Sequence, residues 1–179
     1  MKRIILLSVK PKYGALILNK EKSIEIRKIF PIDYRDKVLL FITNDKNQYL
    51  YRNASGVYKV FKYKGANALN GHIVGSFDCN DVEIIEHFFN VSLNQMDTQC
   101  RHTDCYELKC KARLTIDELN KYLGDKKGKA IHISNVEEFA SPLKLSQLQL
   151  FKTFNSNDMH NLHKCLTRAP QNYCYVVWR

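Results

Sequence analysis

Apolar and polar positions divide this chain into short blocks, most of them strand-like. Residues 3–9 (RIILLSV) and 37–43 (KVLLFIT) are almost continuous apolar runs, the pattern of strands buried in a sheet. Between them Pro11 opens a short helix that Leu16 and Ile17 anchor and that Asn19 and Lys20 close. A strand follows in which Ile24 and Ile26 share one face, while Ser23, Glu25 and Arg27 share the other. Residues 71–86 (GHIVGSFDCNDVEIIE) predict a long strand bent at Gly75. Helical material is expected from about Ser92, and Thr115 to Glu118 spell a capping box for a helix ending near Gly124. Residues 128–139 predict another strand, ended by Pro142 and Leu143, and Tyr173 to Trp178 alternate as a closing strand.

The segment 44–70 breaks this pattern. Its ends are rich in Asn, Gly and Lys, while VYKVFKYK in its middle alternates like an exposed hairpin strand. It reads as a hairpin insertion in an otherwise single domain spanning 1–179, a length suited to one core. Tyr49, Tyr51, Tyr58, Phe61 and Tyr63 lie there among Arg52, Lys59, Lys62 and Lys64. Such interleaving suits single-stranded nucleic acid, with bases on rings and cations along the backbone, or else the rings pack the hairpin onto the body.

Composition adds class and compartment. Hydrophobic residues make up 45% of the chain, which argues for a folded protein. The apolar start is cut short by Lys10, Pro11 and Lys12, too early for a signal-peptide core. No run reaches the length of a membrane span, so the expectation is a cytoplasmic protein off the membrane; the six cysteines fit that compartment if reduced, although an even count could pair as disulfides in an oxidising one. The net charge of +10 is uneven: residues 1–40 carry ten Lys/Arg against four Asp/Glu, whereas 71–99 carry five acids and no Lys/Arg. A basic first third attracts phosphates, in a salt-dependent way.

The chemistry gathers at Lys22, Ser23, Glu25 and Arg27, where a hydroxyl, a carboxylate and two cations fall within six residues. A solvated face of paired charges would look the same from spacing alone. Other constellations are weaker. Cys100, His102, Cys105 and Cys110 offer zinc-type donors without the usual paired spacing, and His160 and His163 share a helix face; neither set is taken as a metal site. Neither a phosphate-binding loop nor a dinucleotide fingerprint is present, and no cofactor is expected.

The stretch KPKYGALILNKEKSIEIRK resembles the opening motif of ASCH-domain proteins, a branch of the PUA-like superfamily, through Lys10, Pro11, Lys22, Ser23, Glu25 and Arg27. Lys20 departs from it, standing where that family usually has glycine; Asn19 is then expected to take the left-handed position, or the turn to differ. Tyr122, Gly124 and residues 130–133 resemble a second family passage, in which His132 is read as a packed structural histidine. Residues 169–176 (APQNYCYV) resemble the Pro-Pro-Gln-Ser ending of bacterial and phage members, with Asn172 in the serine's place.

The resemblance implies an α+β fold of PUA-like type, a mostly antiparallel β-barrel flanked by short helices. It also implies a basic cleft that binds RNA, a nucleotide or a nucleoside, with Lys10, Lys12, Lys22, Arg27 and Gln171 as nucleic-acid contacts. Some ASCH-like proteins are hydrolases of N4-acetylcytidine or are credited with ribonuclease activity. In the amidohydrolase motif a threonine nucleophile stands where this chain has Glu25, and a carboxylate cannot fill that role. An enzyme would instead need Ser23 as nucleophile, Lys22 as base and Glu25 as acid, with Glu83, Glu86 and Glu118 all open as the distal glutamate. The third alternative is a protein-interaction module using 44–70.

Overall fold

The computed structural model describes residues 2–90, 95–100, 103–150 and 165–178. It is an α+β structure with a mostly antiparallel sheet and few helices. The chain forms two compact units: residues 1–19, 37–77 and 136–179 make the first, and residues 20–36 with 78–135 make the second.

In the first unit, strand β1 (Lys2–Val9) lies between two partners. It runs parallel to β3 (Lys37–Ile42), with Ile5 opposite Val38, and antiparallel to β9 (Tyr173–Trp178), with Leu6 opposite Cys174. The apolar runs are buried on both faces as the pattern predicts: Ile4 to Leu7 and Val38 to Ile42 are all buried. Ile4, Leu6, Leu39, Phe41, Ile73 and Val176 form its core. Helix α1 (Pro11–Leu18) has buried Pro11 in its first turn, where a missing N–H costs nothing. Gly14 lies so close to the Ile42 side chain that a Cβ would collide with it.

Strands β4 (Tyr49–Arg52) and β5 (Tyr58–Phe61) form a separate two-stranded hairpin that packs on α1. The Asn19 side chain accepts from Tyr58 N–H and donates to Tyr58 O, both at 2.9 Å. That fastens the hairpin to the end of the helix. The turn predicted for Asn19 is corrected here: Asn19 has φ −76 and Lys20 takes the left-handed conformation, φ 60. Asn19 is occupied by Tyr58, so the next residue makes the reversal.

In the second unit, β2 (Ile24–Arg27) pairs antiparallel with the first part of β8 (Gly128–Lys144), Glu25 opposite Ile131 and Arg27 opposite Lys129. Strand β6 (His72–Asn90) neighbours β8 and pairs with β7 (Gln95–Cys100). Helices α2 (Cys105–Ala112) and α3 (Ile116–Leu123) supply Leu108, Ala112, Leu119 and Leu123 to a core with Ile24, Ile26, Ile85 and Ala130. The capping box of Thr115 and Glu118 forms in full, and Gly124 caps the helix end.

Two boundaries differ from expectation. Residues 95–100 are strand rather than helix, their backbone completing the ladder of β6, with polar Gln95, Asp97 and Gln99 alternating with Met96, Thr98 and Cys100 along the sequence; Ser92 itself lies outside the described residues. Strand β8 continues through Pro142 to Lys144. Proline withholds a single donor, and Pro142 is exposed, so the strand need not stop. Among the described residues no helix is long and apolar enough to cross a membrane.

Candidate nucleic-acid site

The site in the second unit starts from the end of α2. A helix leaves its last carbonyls without intrahelical donors. Here the segment 21–23 supplies them: Lys22 Nζ donates to Ala112 O, and Ser23 N–H donates to Lys111 O at 3.0 Å. Arg113, left-handed at φ 52, donates back from Nε to Glu21 O at 2.8 Å. Three consecutive residues are thus strapped to three consecutive residues of the helix end, which also favours a cation there. On its other side Ser23 O accepts from Ile133 N–H at 2.8 Å, extending the β2–β8 ladder by one rung.

This strap carries Lys22 inward. Lys22 is 2% exposed and Glu25 is 5% exposed, so the predicted polar row is partly internal. The Glu25 carboxylate sits between two cations, 3.4 Å from Lys22 Nζ and 2.9 Å from an Arg27 guanidinium nitrogen. Burial is the main influence on Lys22 and pushes its ammonium below the usual range, with Glu25 opposing. Ser23 remains exposed and Arg27 partly so.

Arg27 stands directly opposite Lys129 across the ladder, and among the described residues Lys129 has no ion-pair partner. Like charges facing one another repel; an anion shared by the two would relieve that. Lys129 was missed in the sequence because its relation to Arg27 depends on the register of two strands a hundred residues apart.

Strand parity puts a second polar cluster on the opposite face of β8, since His132 pairs with Ile24 and not with Glu25. Glu83 is buried, accepts from the Thr103 hydroxyl at 2.6 Å and from Thr103 N–H at 3.2 Å, and lies 2.5 Å from His132 Nε2. Asp81 completes a set of three possible metal donors with Glu83 and His132, and it also pairs with Arg35. Glu83 is thereby distinguished from the other two loose glutamates: Glu86 pairs with Lys127 at the surface and Glu118 serves the α3 cap.

The remaining predicted contacts belong to the first unit. Lys10 caps α1 without a side-chain hydrogen bond and is exposed, and Lys12 lies over the Tyr13 ring at 5.3 Å. Ser8 donates from Oγ to Pro170 O at 2.7 Å and from N–H to Asn172 O at 3.0 Å. Exposed Gln171 therefore stands at the end of β1 from which Lys10 departs. Cys105 and Cys110 are free thiols, as are Cys79, Cys165 and Cys174; His102, His160 and His163 lie outside the described residues.

No family model and no curated protein matches the sequence. Among solved structures, the crystal structure of ASCH from Zymomonas mobilis is similar over 80% of this chain and 75% of that one, with a TM-score of 0.50 at 13% identity. A point mutant of the same protein gives 14% identity, 82% and 78% coverage, and a TM-score of 0.49. The fold of this chain is that of an ASCH domain.

Proposed function

We propose that this protein is an RNA- or nucleotide-binding ASCH domain of PUA-like, barrel type, acting in the reducing cytoplasm where its free thiols persist. The observation that carries the proposal is the Arg27–Lys129 pair backed by buried Glu25. Glu25 holds the partly exposed Arg27 guanidinium in place next to Lys129, so that the two cations together can attract a phosphate or a base edge. Exposed Ser23 offers a hydroxyl at the other end of this strand face, and Lys22 holds Glu25 from behind. Lys10, Lys12 and Gln171 provide a further basic and amide contact set at the end of β1.

A hydrolase is the second reading, favoured by Lys22 itself. A buried lysine pushed toward its neutral amine is the form a general base requires, and Ser23 is its exposed neighbour. Its substrate would be RNA or an N-acylated nucleoside, with Glu25 positioning Lys22 rather than giving up a proton.

The test is fluorescence anisotropy of labelled single-stranded RNA at two salt concentrations, for wild type, Arg27→Ala and Lys22→Ala, followed by a gel of the recovered RNA. Binding that falls with salt and weakens in Arg27→Ala supports the proposal, and shortened RNA that Lys22→Ala leaves intact adds hydrolysis. Equal binding by all three proteins overturns it.

A further inference from the structure

The hairpin β4–β5 sorts its aromatic residues into two groups. Tyr58 is 6% exposed, its hydroxyl donates to Glu138 at 2.6 Å, and its main chain is fastened by Asn19. Leu50 is fully buried. These residues hold the hairpin to its unit. Phe61 and Tyr63, by contrast, are 52% and 84% exposed.

Their exposure is braced rather than loose. The Tyr51 ring packs edge-on to Phe61 with centroids 5.6 Å apart. Its hydroxyl donates to Tyr63 O at 3.0 Å and accepts from Gly65 N–H. Gly65 has no Cβ, and one placed there would come within 3.2 Å of that hydroxyl. Tyr51 therefore fixes the backbone on both sides of Lys64 and leaves the Tyr63 ring in solvent. Lys59, Lys62 and Lys64 are exposed, and among the described residues none has an ion-pair partner. Arg52 differs, because it is bound to Glu138 at 2.6 Å. Residues 44–70 carry five Lys/Arg against the single acid Asp45.

We infer that Phe61 and Tyr63, with Lys59, Lys62 and Lys64, form a second binding platform for single-stranded RNA, separate from the Arg27 site. The two rings stack unpaired bases, and the three lysines follow the phosphates. Duplex RNA keeps its bases stacked on one another and offers the rings nothing, so the platform selects single strands. This inference rests on the RNA-binding reading and adds a site and a substrate class to it.

The test measures binding of a fluorescein-labelled RNA twelve-mer and of its duplex by wild type, Tyr63→Ala, Tyr63→Phe and Lys62→Ala/Lys64→Ala. Tyr63 is at the surface, so these variants keep the fold, and circular dichroism checks that. Tyr63→Ala is expected to lose about 5- to 150-fold in single-strand affinity, with duplex binding unchanged and Tyr63→Phe close to wild type. The double lysine variant should lower the salt slope by about 1.4. Wild-type binding that Tyr63→Ala leaves intact overturns the platform while the Arg27 reading stands. Absence of wild-type RNA binding at low salt overturns both.

Discussion

Lys22 donates its ammonium hydrogen to the main-chain carbonyl of Ala112, ninety positions along the chain. The bond places a cation on the C-terminus of α2 and beside Glu25, so that one buried side chain closes a helix and fixes a carboxylate. Glu25 in turn has Arg27 as its second cation.

Removing the carboxylate should therefore harm the fold more than removing either cation. Glu25→Ala leaves two positive groups facing each other in a largely dry site, and breaking a buried ion pair in that way costs about 3–5 kcal/mol. Lys22→Ala leaves Glu25 with Arg27 and should cost less. Urea unfolding of the two variants ranks them, and a greater loss in Lys22→Ala would contradict the arrangement.

The same burial sets a pH dependence. The folded chain holds the Lys22 proton less tightly than the unfolded chain does, so the unfolded state binds more protons at pH values between the lowered folded pKa and about 10.4. The contribution of Lys22 to stability thus rises with pH across that window and is least favourable below it. Urea midpoints of wild type, measured from pH 7 to pH 10, should gain on those of Lys22→Met as pH increases; a gap that is constant or runs the other way contradicts it.

Thiol reactivity should separate the cysteines. Burial raises Cys79 and Cys174 to about 11, which leaves roughly one thiolate in a thousand at pH 8. Cys110 and Cys165 are exposed. In the native protein a disulfide reagent should modify Cys110 and Cys165 first, reaching Cys79 only after urea is added. Mass spectrometry of digested protein identifies the order, and early labelling of Cys79 would contradict the described burial.

Gly75 should resist substitution. A Cβ there would strike Glu137 O and come within 3.2 Å of Glu138 Cα, both main-chain atoms of the neighbouring strand. Gly75→Ala is expected to lose about 1–3 kcal/mol in urea unfolding, and an unchanged midpoint would contradict the close approach.

Much of the first unit was legible in the sequence because its strands are buried on both faces, so RIILLSV and KVLLFI declare themselves without reference to anything distant. The cap of α3 was equally local, needing only Thr115 and Glu118. Strand β7 was overlooked although Gln95, Asp97 and Gln99 alternate with Met96, Thr98 and Cys100; six residues with only two strongly apolar members are a weak signal until the β6 edge lies beside them. The alternation of β2 placed Glu25 and Arg27 opposite Ile24 and Ile26, but it said nothing of depth. Depth depends on α2 arriving over Lys22, and on Lys129 arriving across from Arg27, two tertiary events. Residue preference pointed to Asn19 for the left-handed turn, or else to a different turn, whereas Asn19 is engaged with Tyr58 and Lys20 itself takes the left-handed conformation. Single-residue propensity yields where a side chain is engaged elsewhere.

The most direct test of RNA binding at the Arg27 site is the salt slope of RNA affinity for wild type beside Arg27→Ala and Arg27→Lys. Affinity for single-stranded RNA should fall with salt in wild type, and loss of one phosphate contact in Arg27→Ala should reduce the logarithmic slope by about 0.7. Arg27→Lys should recover the slope, since it restores the charge, while binding more weakly for want of the guanidinium's paired donors. Slopes and affinities that are identical in all three proteins, each shown to be folded, would contradict a phosphate site built on Arg27.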